Sequence, residues 1–304
     1  MMDVHSMVER ACGEVGISPP REHSEGRWLV TDALSGKRGK GDGRVKIGPD
    51  HVIAWNWQTG VRSVVRVGAE QSPADRRRIV ERIQRDRETQ RERTKKAAAD
   101  AARLVAAARP GTHPYLALKG FPAERALTIG AADVAAIGGR YLVPEGGERA
   151  LVIPARIRDR LTSCQLIWEA GTKKFLFGGE MGGAAFRLAQ GRDTWLCEGY
   201  ATGLSLRAAL RAMNRVDGVL CCFSASNIAA VAPSVSGRAW IAADHDKPLE
   251  QHGGLGTGEH YARIARKPYA MPPDIGTDIN DMHIGQGIYA VQRLLGDTIR
   301  GEAA

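Results

Sequence analysis

No two of the five cysteines form a Cys-x-x-Cys pair; Cys12, Cys164 and Cys197 stand far apart and Cys221 adjoins Cys222. That spacing argues against a classical zinc finger, which needs paired ligands a few residues apart. Several of these cysteines sit in apolar runs and read as ordinary buried thiols, with no disulfide framework. Nowhere do about 18 apolar residues run together, so no membrane span is expected. The first residues, Met1 to Pro20, lack the apolar core of a secretory signal, and a cytoplasmic protein follows. What the chain has in excess is positive charge. Lysine and arginine outnumber aspartate and glutamate by 43 to 34, a net charge of +9 over 304 residues. Such a surplus favours polyanionic partners through its field and through counterion release. The 43% apolar content is enough for real cores, and the length fits two domains or three.

Glycine and proline vanish between Ala74 and Arg109, a run bracketed by Pro73 and Pro110-Gly111 as a helix should be. It carries twelve basic and six acidic residues and reads as a solvated linker helix with intrahelical ion pairs rather than a direct nucleic-acid contact. Before it, residues 1–72 read as an α+β module, with a helix over Val4 to Val15 and strands at Trp28 to Val30, Arg44 to Ile47 and Val52 to Trp55. The loop Gly36 to Gly43 is glycine-rich and basic, through Lys37, Arg38 and Lys40, with Arg44 just after it. It lacks the Gly-Lys-Ser/Thr ending of a P-loop. Both a backbone contact to nucleic acid and a solvated hairpin fit it.

Residues 111–191 read as a compact strand-rich basic region, with strands at Tyr141 to Val143, Ala150 to Pro154 and Ser163 to Trp168. From residue 192 to 304 strands and helices alternate, which argues for a parallel sheet. In such sheets ligands bind beyond the carboxyl ends of the strands. Glu198-Gly199 follows the first strand, Asp244-His245-Asp246 the third, and the loop Asp274 to Asp281, with Asp278, the fourth. Clustered carboxylates raise each other's pKa unless a cation neutralises them, and hard oxygen ligands suit Mg²⁺ or Mn²⁺. His245 is expected to point away and pack locally, and Asn227 to cap the helix after the second strand.

Glu198-Gly199 and Asp244-x-Asp246, on successive strand ends, resemble the Toprim domain shared by DnaG-type primases, topoisomerases and some nucleases. The context His113-Pro-Tyr-Leu, Lys119-Gly120, Gly171-Thr-Lys-Lys-Phe175, Glu198-Gly-Tyr-Ala-Thr202 and Asp278-Ile-Asn-Asp281 is similar to primase-like proteins of phages and conjugative plasmids. The resemblance covers about residues 110 to 296. Trp55-Asn-Trp57-Gln-Thr-Gly60 looks more faintly like the zinc-less leader module of such proteins. The fold it implies is α/β: a Rossmann-like parallel Toprim sheet, preceded by the strand-rich subdomain and by the leader module on its charged helix.

The resemblance also implies roles. Glu198 is then a general acid/base or metal ligand, Asp244 and Asp246 hold Mg²⁺, and Asp278 is a further acidic group. Lys119, Lys173 and Lys174 grip template or nucleotide phosphates, with Lys37, Arg38, Lys40 and Arg44 on the leader. The implied activity is DNA primase: a nucleotidyltransferase making short RNA primers from ribonucleoside triphosphates on single-stranded DNA in phage or plasmid replication, with a replicative helicase as a further partner. The rivals are a Toprim nuclease using the same metal site and a non-catalytic nucleic-acid-binding regulator. A fragment beginning near Thr112 is expected to fold alone and keep its chemistry.

Overall fold

The Asp3 carboxylate accepts the Ser6 backbone N–H at 2.7 Å and starts the first helix, α1 (Val4–Val15), which Gly16 ends in the left-handed region at φ 69°. The structure, a computed structural model, describes residues 3–34, 41–66 and 73–301. Contacts divide it into two units, Met1–Ile83 and Gln84–Ala304. In the first, α1 buries Met7, Val8, Ala11, Cys12 and Val15 against an antiparallel meander of β1 (Trp28–Thr31), β2 (Gly43–Ile47), β3 (His51–Asn56) and β4 (Arg62–Arg66). The strands alternate, so Leu29, Val45, Ile47, Val52, Ala54 and Val65 face the helix and their neighbours face outward. The three expected strands are present; β4 was not legible. Lys37, Arg38 and Lys40 lie outside the described residues.

The charged run is a helix, α2 (Pro73–Ala107), as its composition predicts. Its second half is not a solvated linker. Ala97, Ala101 and Leu104 are buried, and Ala108 with them, in a core shared with Val134, Leu142, Ala150, Val152, Leu166 and Trp168. Thr94 donates to the Gly178 carbonyl at 3.2 Å. Alanines suit these positions because the helix lies close on a sheet. That sheet joins β5 (Arg109–Gly111), β6 (Ala126–Gly130), β7 (Arg149–Ile157), β8 (Arg160–Trp168) and β9 (Lys173–Phe175), all antiparallel, with the short helices α3 (Pro114–Leu118) and α4 (Ala131–Gly138) between strands. Tyr141, expected in a strand, sits in a 3₁₀ turn after Gly139 at φ 108°. The turn buries Leu142 and lets the Tyr141 hydroxyl accept the Phe177 N–H at 2.9 Å.

Ala150, Val152 and Leu166 face α2, whereas Leu151, Ile153 and Ile167 join a second core with Trp195, Leu204, Val219 and Trp240. Apolar runs buried on both faces lose their alternation, which is why β7 and β8 read as continuous hydrophobic strings.

The remaining elements are β10 (Phe186–Ala189), β11 (Thr194–Cys197), α5 (Tyr200–Ala212), β12 (Gly218–Cys221), α6 (Ala225–Val231), β13 (Ala239–Ala242), α7 (Thr257–Ala265), β14 (Tyr269–Ala270), α8 (Ile279–Gln286) and α9 (Ile288–Arg300). Their sheet runs β10-β12-β11-β13-β14. β11 to β14 are mutually parallel, as the alternating pattern predicts, and β10 is an antiparallel edge that was not foreseen. Every residue of β11, β12 and β13 is buried. The chain leaves β11 toward β12 on one side and returns to β13 on the other, so the switch point of the sheet lies at β11.

Leu104→Ala should therefore destabilise the chain by about 2–5 kcal/mol, the usual cost of truncating a fully buried leucine. A fragment starting at Gln84 should melt cooperatively, and one starting at Thr112, stripped of α2, should not. Calorimetry and denaturant titration read both. Equal cooperativity in the two fragments would return α2 to the role of a spacer.

Candidate active site

Glu198 follows β11 and Asp244 lies two residues past β13, at the carboxyl ends of adjacent strands flanking the switch point. Burial is the main force on both. It raises the Glu198 pKa, with Lys173 opposing and Asp246 and Asp278 reinforcing the rise. Burial raises Asp244 further, to about 8 from an ordinary 3.8, helped by Glu198, Asp278 and Asp246 and opposed by Lys173. Neighbouring carboxylates thus add to the rise at both Glu198 and Asp244. Asp244 Oδ1 is buried and has no hydrogen-bond partner. A buried, partnerless carboxylate oxygen among like charges is costly unless protonated or neutralised.

The other two acids are tied to backbone. Asp246 Oδ2 accepts the Gly258 N–H at 2.8 Å. Asp278 caps α8 in a reciprocal box with Asp281: its Oδ1 accepts the Asp281 N–H at 2.8 Å, and its Oδ2 accepts the Thr202 hydroxyl at 3.1 Å. The region expected to be a loop to Asp281 therefore already begins a helix at Ile279, because Asp278 and Asp281 satisfy each other's end of it. Among the described residues, no three His, Cys, Asp or Glu side chains are grouped so as to hold an ion as they stand. The donor chemistry nonetheless suits a hard divalent cation: carboxylate oxygens, one of them unpartnered.

Two glycines make the site possible and were not singled out from sequence. A Cβ at Gly258 would collide with the backbone of Asp244, and one at Gly256 with that of Asp246. The loop before α7 wraps directly over the Asp244–Asp246 segment, and Gly256-Thr-Gly258 is the only trace of this in the sequence. His245 turns away, its Nδ1–H donating to the Pro272 carbonyl at 2.8 Å. Asn227 does not cap α6; Ser224 does. The Asn227 amide instead accepts from the Gly183 N–H and donates to the carbonyls of Ala184 and Cys222, pinning the loop before β10 to the end of β12.

The basic residues divide. Lys173 and Lys119 line a cavity of about 340 Å³ together with Tyr115, Thr202 and Asp278. Lys119 also lies 3.6 Å from Asp281. Lys174 pairs with Leu166 and Lys173 with Ile167. Since Leu166 faces the α2 side and Ile167 the other, strand alternation puts Lys174 on the face away from the acids. Arg44 belongs to the first unit, where its guanidinium lies 4.1 Å over the Trp57 ring. Tyr115, part of the His113-Pro-Tyr-Leu motif but given no role there, is pushed up to about 12 by burial and by Asp278 and Asp281, and so stays a neutral phenol in the cavity. His113 is neutral too, since burial lowers its pKa: its Nε2–H donates to the Arg149 carbonyl and its Nδ1 accepts the Tyr115 N–H, fixing α3 beneath the cavity. All five cysteines are buried and free, which matches their reading as ordinary thiols.

Residues 193–288 match the Toprim domain family. No curated protein matches the chain. Among solved structures it is similar to the primase fragment of the bacteriophage T7 primase-helicase protein, at 14% identity and a TM-score of 0.33, over 50% of this chain. The match spans 64% of that fragment, less than two thirds of its length. No helix among the described residues is long and apolar enough to cross a membrane.

The buried acids carry a consequence for stability. An acid whose pKa is raised on folding stabilises the fold fully below its unfolded value and loses that contribution as pH climbs to the folded value. For Asp244 the loss runs from about pH 4 to about pH 8, and Glu198 moves in the same direction. In chelator, the wild-type melting temperature should fall across that window. Asp244→Asn, which cannot ionise, should flatten the slope and melt higher at pH 8. Identical slopes in the two proteins would mean that Asp244 does not titrate in this environment.

Proposed function

We propose that this chain is a primase-like nucleotidyltransferase that joins ribonucleotides into short RNA on single-stranded DNA. The observation that carries the reading is the set of mutually repelling carboxylates, Glu198, Asp244, Asp246 and Asp278, at the switch point of a Toprim-matching sheet, with Asp244 Oδ1 unpartnered. Toprim domains bind Mg²⁺ through acidic residues of this kind. In this reading Asp244 and Asp246 hold the ion with Asp278 beside them, and the bound ion neutralises charge on the reacting phosphates. Glu198, its pKa raised by burial, takes the proton of the attacking 3′-hydroxyl at its carboxylate; the 3′-oxygen bonds to the α-phosphorus as the bond to the β-phosphate breaks and pyrophosphate leaves. Lys173 and Lys119 receive the triphosphate in the cavity they line, and neutral Tyr115 offers it a hydroxyl donor. Positioning and charge neutralisation supply most of the rate, as in phosphoryl transfer generally.

A metal-dependent nuclease would use the same acids with water as the nucleophile. The cavity with two lysines beside the acids favours a nucleoside triphosphate, because cutting a strand requires no separate pocket for a triphosphate. The assay that separates the two mixes the protein with single-stranded DNA, Mg²⁺ and labelled ribonucleotides. Short labelled RNA is expected; cut DNA without RNA would give the nuclease reading. Asp244→Asn should remove the product by at least about a hundredfold, the scale of losing a charge-stabilising group, with circular dichroism unchanged. Lys173→Ala should raise the KM for nucleotide more than Lys174→Ala does. Full activity in Asp244→Asn would remove Asp244 from the chemistry.

A further inference from the structure

The β1–β4 sheet hides one face and leaves the other open. α1 covers Leu29, Val45, Ile47, Val52 and Val65. On the outward face the register sets side chains in rows across all four strands. One row is Val30, Arg44, Trp55, Arg62; the next is Trp28, Lys46, Ile53, Val64. Large apolar groups on this face stand exposed: Trp28 is 44% exposed, Trp55 38%, Trp57 53% and Val30 62%. Tryptophans are rarely left in water without a use.

The aromatic groups are organised as well as exposed. The Trp55 and Trp57 rings meet edge to face with centroids 5.6 Å apart. Arg44 lies over the Trp57 ring and donates to the Gly43 carbonyl at 2.9 Å, which holds both planes in place. Charge on this face has one sign. The outward strand positions carry Arg44, Lys46, His51, Arg62 and Arg66, and no outward position of β1–β4 carries an acid. At the margin, Asp50 is 2.7 Å from His51, and Glu22, which lines a cavity with Trp28 and Val30, is 3.1 Å from Arg27.

We propose that this face is a stacking platform for single-stranded DNA. Rings alternating with cations across a flat sheet match an unpaired strand, whose bases offer flat faces and whose backbone offers a phosphate at every step. A duplex cannot meet this face in the same way, because its bases are already stacked on one another. A protein partner for so basic a face would have to be acidic, and its acids would be spaced by its own fold, whereas a single strand brings a phosphate with every base. The choice of DNA over RNA rests on the proposed template, while the platform itself rests only on the face. The basic loop before β2 does not enter the argument, and no catalytic group is needed for this binding.

The test uses the full-length chain in chelator, so that catalysis plays no part. A labelled strand of about 20 thymidines exceeds the ~4–16 nucleotides that a single-strand-binding β module covers. Its anisotropy reads affinity at low and moderate salt. Trp55→Ala should weaken binding about 5- to 100-fold, the range for losing one stacked base, and Trp55→Phe should restore most of it. Arg62→Ala with Arg66→Ala should flatten the dependence of affinity on salt, since fewer counterions are released. Unchanged affinity in a Trp55→Ala, Trp57→Ala double variant with native circular dichroism would overturn the proposal, as would tighter binding of duplex or of RNA. The two readings fail separately. Binding lost in the face variants by a protein that makes no RNA would sink the catalytic reading alone; RNA synthesis with face variants that bind normally would sink this one alone.

Discussion

Carboxylates that repel one another, buried at the ends of strands with both faces covered, are the constraint on which the rest of the larger unit depends. β11 and β13 are fully buried, so whatever follows them emerges into a confined space. Glu198 and Asp244 emerge there together, Glu198 makes Asp244 harder to ionise, and Asp246 and Asp278 do the same to both. The fold tolerates this because the surrounding groups are arranged to answer it. Lys173 reaches in from another sheet, Gly258 and Asp281 donate backbone N–H groups to the outer two acids, and Gly256 and Gly258 let the α7 loop close over them. What they leave unanswered is Asp244 Oδ1. The fold answers Asp246 and Asp278 with backbone N–H groups and leaves Asp244 Oδ1 bare, an oxygen that is costly there unless it is protonated or neutralised.

The strand-rich region belongs to that arrangement. β7 and β8 bury alternate residues in two cores, one under α2 and one against the Toprim sheet. Because successive residues point to opposite faces, a single step along β9 decides which lysine serves the acids: Lys173 opposes them and Lys174 does not. α2 fixes the back of the same sheet, so its buried alanines lie behind the position of Lys173.

Much of this was legible in the sequence, for physical reasons that can be named. The parallel strands β11 to β14 announce themselves as short apolar runs between helices, and the acids stand at their carboxyl ends where open sheets bind ligands. α1 and the first strands of the meander follow from their caps and alternation. Other features left no pattern to read. β10 and β4 are short edge strands. Tyr141 sits in a turn because Gly139 admits a positive φ, although its apolar neighbours look like a strand. Asp278 resembles a loop acid until Asp281, three residues on, closes the capping box. The second half of α2 looks solvated because alanine has no strong preference for inside or outside; only the sheet beneath decides that Ala97 and Ala101 are buried. Asn227 has the composition of a cap and the geometry of a staple.

The two units use the same element in opposite ways. In residues 84–304 the parallel sheet has its central strands buried, so polar side chains are confined to strand ends, where Glu198 and Asp244 stand on adjacent strands. That geometry suits a reaction, because a reaction needs a few groups held in a small, dry volume. In residues 3–66 the meander is covered by one helix only, and its open face repeats a side-chain pattern across every strand. Repetition over a plane does little for catalysis but suits a polymer, whose own repeat can be met row by row. The direction in which each sheet was left uncovered therefore fixes what each unit presents: a few groups at strand ends in the first case, and a repeating plane of side chains in the second.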